Sequence, residues 1–271
     1  MANTDVDFED VAAVTDPGEV GREEHNWGDR AVVFLSNIAA WLFPALMVAI
    51  CAQVILRNAG VNQAWLDDLQ WWLYGAAVLM GVGYAVTTDS HVRVDVLYDN
   101  YPDEKKNRIS IFAIGWLFLP FVILAWDTSA PYAVTSYIAD EGSSSPNGLH
   151  NLWIIKVFMN LSFLFIAFAS VAALVRLIKR RCKPTLSRVM LNALPATIFA
   201  VNLVVYYTAW VIVWAGAEAE ATTRDIGRHW FFDDFEWGVY DIKYTFVATA
   251  IVSILVIGLA RIIDRRARAE G

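Results

Sequence analysis

Six long apolar runs set the strongest constraint on what this chain can fold into. A helix needs about 20 mostly apolar residues to cross a bilayer, and only 18% of this sequence is charged. Helices that are apolar all round belong in a membrane or a large core, and too little polar sequence remains to cover six of them. The sequence therefore predicts an all-α, polytopic membrane helix bundle with six transmembrane helices. The predicted spans are Ala31–Leu56, Leu69–Thr87, Ile109–Trp126, Leu152–Val175, Val189–Gly216 and Tyr244–Ala260.

Basic residues are distributed unevenly between the two sides of these spans. In membrane proteins Lys and Arg concentrate in short cytoplasmic loops. Sixteen of the 21 basic residues fall in the N-terminal tail, the loops after spans two and four, and the tail after span six. Both termini are therefore predicted to lie in the cytoplasm. The other side keeps Arg57, Lys156, Arg224, Arg228 and Lys243.

The first thirty residues are acidic and contain no apolar run. Nine acidic residues accompany only Arg22 and Arg30, which is unlike a secretory signal peptide. We interpret residues 1–30 as an acidic cytoplasmic tail and residues 31–181 as a four-span membrane unit. Residues 182–271 are expected to add two spans, an aromatic-acidic external loop and a basic cytoplasmic tail. No basic stripe carries base-stacking aromatic residues, so nucleic acid is not an expected partner.

The predicted spans contain few residues that could catalyse a reaction or bind an ion. The four histidines lie in tails or loops near span ends, and no Cys/His cluster has the spacing of zinc ligands. Ionisable residues near the spans are interpreted as anchors whose charged ends reach the membrane surface. We therefore expect no catalytic site, metal or cofactor, and a chain that supports another polypeptide instead of carrying a solute alone. The ionisable residues concerned are Asp67, Asp68, Asp127, Lys156 and Asp241.

Two features predict departures from straight helices. Pro44, Pro120 and Pro195 fall within spans, and proline removes a backbone donor from the helix, so kinks are expected there. The string HWFFDDFEWGVY, from His229 to Tyr240, mixes aromatic and acidic residues before span six. Such rings favour the boundary between water and lipid. We interpret this string as an interfacial helix or a loop that docks a partner.

Two short strings carry more information than the composition. The first, VILRNAGVNQAWLDDLQWW, places Arg57 after span one and Trp65, Asp67 and Asp68 before span two. In a helix Trp65 would begin an apolar face typical of an amphipathic interfacial segment. An ordinary aromatic anchor at the membrane boundary is the alternative. One of the two acids could also pair with Arg57 across the turn.

The second string, HVRVD, follows span two. In a helix His91 and Asp95 would be neighbours at a spacing of four residues, which would leave Arg93 able to reach a phosphate or a partner's carboxylate. The alternative is a basic hairpin that contacts only lipid.

In this order, with a span between them, the two strings resemble the small membrane subunit of tripartite ATP-independent periplasmic (TRAP) transporters, the DctQ type. That family has an arginine after span one, a Trp-x-acid-acid-Leu string and a His-x-Arg-Val-Asp string. A turn-rich loop follows, and then a Trp and a Lys that open span four. The corresponding residues are Arg57, Trp65–Leu69, His91–Asp95, the loop ending in Gly148 and Leu149, and Trp153 with Lys156. The resemblance covers Ala31 to Arg181.

The resemblance implies a scaffold beside a larger transport subunit. In such systems a periplasmic protein captures an organic acid, and the large membrane subunit moves it with sodium. The expected partners are therefore the large TRAP subunit, the substrate-binding protein and the lipids of a bacterial inner membrane. The expected partner contacts are Arg57, Trp65, Asp67, Asp68, His91, Arg93, Asp95, Trp153 and Lys156.

After Arg181 the chain departs from the four-span pattern, since two more spans follow. These spans keep a rival hypothesis open, in which the chain is an accessory structural subunit of another bacterial membrane complex, such as an energy-transducing one. A membrane enzyme or redox carrier is a second rival, but it requires a cofactor site that the sequence does not offer.

If the hairpin after span two contacts a partner, Arg93→Ala or Asp95→Ala should lower the yield of the complex with the large subunit, because either change removes a charge from that contact. The yield after gentle detergent extraction measures this effect. Normal yield and normal uptake in both variants would favour a hairpin that only anchors the chain to lipid.

Overall fold

The computed structural model describes residues 22–90, 98, 100–217, 222–237 and 240–269, and they are predominantly helical. Among these described residues, six helical segments are long and apolar enough to cross a membrane, which confirms the predicted all-α, polytopic fold. The first four spans contain α1 (Trp27–Ala40), α2 (Leu42–Asn58), α3 (Ala64–Thr88), α4 (Asp103–Phe112), α5 (Leu119–Ile138) and α6 (Trp153–Lys179). The remaining helices are α7 (Leu186–Asn192), α8 (Leu194–Gly216), α9 (Thr223–Gly227) and α10 (Tyr244–Ala269).

The first two spans begin earlier than the apolar runs alone predict. At the start of α1, Asn26 and Asp29 form a capping box, in which each side chain accepts a hydrogen bond of 3.0 Å from the other residue's backbone N–H. Such a box satisfies two N–H groups that a helix end would otherwise leave unpaired. Helix α3 begins at Ala64, and Asp67 lies in its first turn, where a carboxylate is favoured by the helix dipole.

Each proline singled out in the spans follows an interruption of regular α-helix. A turn at Trp41 separates α1 from α2 and precedes Pro44. A π-helical segment, Ala113–Phe118, joins α4 to α5 just before Pro120. The chain also breaks at Ala193, so that Pro195 occupies the first turn of α8. Proline is accepted in a first turn because the N–H it lacks would have no partner there.

The chain divides into two compact units. The first contains the described residues of Met1–Asp99 and Thr128–Arg176, and the second those of Asn100–Asp127 and Leu177–Gly271. Residues 100–127 of span three are therefore grouped with the two C-terminal spans. The division at residue 181 that the sequence suggests remains a prediction.

In the first unit, α6 is joined to the start of α1 and the end of α3 by one buried ion pair. The Arg176 guanidinium Nη1 lies 2.6 Å from Asp29 Oδ1, and its Nη2 donates to the backbone oxygen of Thr87 at 2.6 Å. Asn26 Nδ2 adds a hydrogen bond of 2.8 Å to the carbonyl of Ala172. The Asp29 side chain is completely buried and that of Arg176 is 8% exposed. Both charges are thus enclosed and paired.

In the second unit, α8 packs against α10 and the π-helical segment, and α7 packs against α10. Asn202 Nδ2 of α8 donates to Thr249 Oγ1 of α10 at 3.0 Å. A Cβ on Gly115 would lie 2.5 Å from the backbone oxygen of Asn192, so only glycine permits this approach. Residues of span three therefore support the two C-terminal spans directly.

The string between His229 and Tyr240 differs from the predicted interfacial helix. After a 3-10 turn at Trp230–Phe232, strand β1 (Asp234–Trp237) pairs antiparallel with β2 (Tyr240–Lys243). The interfacial-helix interpretation is therefore wrong. Acidic and aromatic residues alternate in β1, and an alternation of period two favours a strand. The docking-loop alternative stays a prediction.

Removing the Asp29 carboxylate should destabilise the fold strongly, because Arg176 would remain buried without a counter-charge. We expect Asp29→Ala to lower the free energy of unfolding by about 3–5 kcal/mol. Denaturant titration of the purified chain in detergent micelles measures the change.

The matched control is Glu104→Ala, because Glu104 pairs with Arg108 on the surface. This change should cost about 1 kcal/mol or less. Equal losses in the two variants would contradict the proposed importance of the buried pair.

Candidate functional site

A polar cluster forms where α3 and α6 begin, at the end of the first unit that the distribution of basic residues predicts to lie outside the cytoplasm. The loop between α5 and α6, residues 139–152, folds onto this end. Its Leu149 backbone N–H donates to Asp68 Oδ2 at 2.9 Å, and the Leu149 carbonyl accepts from the Ser143 N–H at 3.0 Å. Asp68 therefore ties the loop to the first turns of α3.

The loop can approach Asp68 because residue 148 is glycine. A Cβ at Gly148 would lie 2.7 Å from Asp68 Oδ2 and 2.4 Å from Ser143 Oγ. The tight path also places Asp140, Asn147 and Asn151 at positive φ, which Asp and Asn tolerate better than most residues. The turn-forming residues of the loop therefore allow the tight path that brings Gly148 against Asp68.

Lys156 is buried on α6 and paired within the chain. Its Nζ donates to Glu141 Oε2 at 2.5 Å and lies 4.0 Å from the ring centre of Tyr132. The hydrogen bond from Lys156 lowers the pKa of Glu141 below its usual value. This position differs from the membrane-anchor interpretation, in which the Lys156 ammonium reaches the membrane surface. Trp153, one turn earlier, meets Tyr137 edge to face at 5.0 Å between ring centres.

Asp67 lies beside Asp68 in sequence but has different partners. Gln53 of α2 donates to the Asp67 carboxylate and accepts a hydrogen bond from Gln70. These three side chains, with Arg57, line a cavity of about 240 Å³. Within the part of the chain that the structure describes, no ion pair joins Arg57 to either acid.

Trp65 donates through Nε1 to Gln63 Oε1 at 3.0 Å and is 39% exposed. Its helix is the transmembrane helix α3 itself, which is continuous from Ala64 to Thr88. The structure thus gathers Trp65, Asp67 and Asp68 on one helix start, close to the loop.

The HVRVD string lies outside the described residues. The contacts expected for His91, Arg93 and Asp95 therefore remain predictions.

Sequence reasoning missed the buried pair at the opposite end of the first unit. Asp29 fell in the predicted acidic tail and Arg176 in the predicted loop after span four, so burial was expected for neither residue. Burial and the neighbouring Arg176 lower the pKa of His25, which lies just before α1. The available signal was the spacing of Asn26 and Asp29 before an apolar run, which is typical of a capping box.

Helices that are long and apolar enough to cross a membrane six times, within the described residues, define a multi-pass helical membrane protein. The family model for tripartite ATP-independent periplasmic transporters, DctQ component, matches residues 46–180. Through this segment the chain belongs to the DctQ family, and it is a small TRAP transporter component. No curated protein and no solved structure matches the chain.

The matched segment contains all nine residues predicted as partner contacts, and it ends at Arg180. It includes Arg176 but not Asp29. Helices α7 to α10 lie beyond it, as the departure from the four-span pattern led us to expect. The family match confirms the predicted resemblance and favours a transporter component over a subunit of another complex.

The pair between Glu141 and Lys156 should make stability depend on pH. Because the folded-state pKa of Glu141 lies below its ordinary value of 4.5, its contribution is fully present above that value and is lost as pH falls through the folded-state pKa. Thermal unfolding in detergent should show the unmodified chain to be more stable than Glu141→Gln at pH 7. The difference in unfolding temperature between the two proteins should narrow below pH 4.5.

Other acids with lowered pKa values, such as Asp225, are common to both proteins, so their effects cancel in the comparison. If the difference in unfolding temperature stays constant as the pH falls well below 4.5, this result would contradict a role for the charge of Glu141.

Proposed function

We propose that the chain is the scaffold subunit of a TRAP system that takes up an organic acid with sodium in a bacterial inner membrane. Its partners are a large membrane subunit, which carries the solute, and a periplasmic substrate-binding protein. This proposal extends the family membership to a specific role, set of partners and reaction.

The main observation behind the proposal is that charged side chains in and beside the spans pair with other groups of the same chain. Asp29 holds Arg176, Lys156 holds Glu141, and the Tyr207 hydroxyl donates to Asp127 at 2.6 Å. Each of these groups holds helices or loops of the same chain together. Among the described residues no group of three or more His, Cys, Asp or Glu side chains could hold a metal ion. The paired charges support mechanical bracing better than passage of an ion.

The outer surfaces of the spans support a role beside another polypeptide. In the most apolar stretch of α6, 56% of the residues are buried within the chain, against 11% in the corresponding stretches of α3 and α8. The α2 and α3 faces carry exposed side chains such as Met47, Ile55 and Trp71. Apolar surface of this extent must be covered by lipid or by another membrane protein.

We assign different roles to the predicted contact residues. Arg57 and Trp65 are exposed and are proposed to touch a partner. Asp68 and Lys156 are proposed to act indirectly, because they fix the loop of residues 139–152 that would face the partner. Asp67 and Trp153 position the starts of α3 and α6. His91, Arg93 and Asp95 complete the proposed set on the cytoplasmic hairpin.

Purification tests the proposal directly. The tagged chain is extracted with a gentle detergent, and the proteins that travel with it are identified by mass spectrometry. A large membrane subunit should copurify, and vesicles with this complex and the binding protein should accumulate an organic acid only under a sodium gradient. Asp68→Ala should lower both complex yield and uptake, because it releases Leu149.

The control variant is Asp103→Ala, which removes an exposed acid of the second unit and should leave yield and uptake unchanged. Vesicles that contain the chain alone should accumulate nothing. Accumulation by the lone chain, or copurification with an unrelated complex, would overturn the proposal.

A further inference from the structure

The second unit contains a cleft that the scaffold role does not use. It lies between the start of α4 and the connection from α6 to α7, and its volume is about 470 Å³. Ligand pockets in proteins commonly measure about 300–1,000 Å³. Its lining includes Arg180, Arg181, Cys182, Asn192, Ile111 and Ile178.

The described lining of the cleft contains two arginines and one acid. Glu104 is the acid that lines it, and this carboxylate is already held by Arg108 at 2.6 Å, with Arg181 at 3.8 Å. Arg180 and Arg181 are both exposed, so their guanidinium groups can be reached from outside. Guanidinium groups bind phosphate oxygens through two parallel hydrogen bonds. The cleft is therefore suited to an anion that carries a phosphate.

The place of the cleft distinguishes between two sources of that phosphate. Ile111 and Ile178 line the cleft but are only 6% and 2% exposed, so they offer a ligand little apolar contact. The cleft lies at the basic ends of two spans, which are predicted to face the cytoplasm, and basic pockets in such places bind anionic headgroups. A phospholipid holds its phosphate at the membrane surface, whereas a free phosphate ion is not concentrated there.

We propose that this cleft binds the phosphate headgroup of an anionic phospholipid from the cytoplasmic leaflet. Arg180 and Arg181 bind the phosphate oxygens, and the acyl chains remain in the bilayer. The Asn192 amide, which also donates to the Arg188 carbonyl, lines the same cleft. The site belongs to the second unit and does not depend on which transport complex the chain joins.

Cys182 provides a direct reporter of occupancy. It is exposed in the cleft lining, and Cys51 is the other cysteine of the chain. In the full-length Cys51→Ala protein in neutral micelles, the rate of labelling by an uncharged maleimide reports access to Cys182. Phosphatidylglycerol should slow labelling in a saturable manner, and phosphatidylcholine with the same acyl chains should not.

Arg180→Gln with Arg181→Gln, made in the same background, should raise the phosphatidylglycerol concentration for half-maximal protection by about thirtyfold, since each arginine near an anionic surface contributes about fivefold. The matched control, Arg265→Gln with Arg266→Gln, removes two exposed cytoplasmic arginines outside the cleft lining. It should change that concentration by less than about twofold. Each variant is compared with and without lipid, because the arginines also affect the reactivity of the thiol.

Three outcomes would overturn the proposal. They are equal protection by the two lipids, equal protection by inorganic phosphate alone, and protection that persists unchanged in the Arg180 and Arg181 variant. If that variant does not fold, native mass spectrometry of the unmodified chain decides the question. Retention of phosphatidylglycerol in preference to phosphatidylcholine supports the site, and equal retention of the two contradicts it.

Discussion

A charge inside an apolar bundle is tolerated only when a partner reaches it, because the low dielectric makes an unpaired ion very costly. This constraint governs the first unit. Arg176 lies near the end of α6, and the two groups that satisfy it come from the first turn of α1 and the last turn of α3. A pair of this kind contributes little net stability compared with apolar packing. It does determine which three helix ends must meet, and so fixes the arrangement of these helices.

Charged groups at the other end of the first unit are also satisfied by partners within the chain. Asp68 accepts a backbone hydrogen bond from Leu149, and Lys156 is satisfied by Glu141. Both contacts hold the loop between α5 and α6 against the bundle. Asp68 and Lys156, two of the residues that carry the DctQ resemblance, therefore shape this surface. Under the proposed scaffold role, these polar groups would serve by giving the surface a fixed shape.

Much of the fold could be predicted from the sequence, because its signals are local. Six apolar runs predict six spans, and prolines predict the interruptions at Trp41, the π-helical segment and Ala193. The pairing of Asp29 with Arg176 could not be predicted, since its partners are far apart in sequence. Asp29 belongs to an acidic leader, and Arg176 precedes a run of basic residues. The hairpin of β1 and β2 was missed because its aromatic residues equally suit an interfacial helix. For the candidate site, the strings identified the residues, but the partners of Asp68 and Lys156 depend on how the loop folds back.

The connection between α1 and α6 has a consequence for biogenesis. Synthesis proceeds from the N-terminus at about 5–20 residues per second, so Arg176 leaves the ribosome roughly 7–30 seconds after Asp29. During that interval the first helix can enter the membrane, but its acidic first turn has no guanidinium to meet. Helix α1 can therefore form its ion pair only after α6 has been synthesised and inserted. Until then, the Asp29 carboxylate must stay near the aqueous surface or beside the insertion machinery.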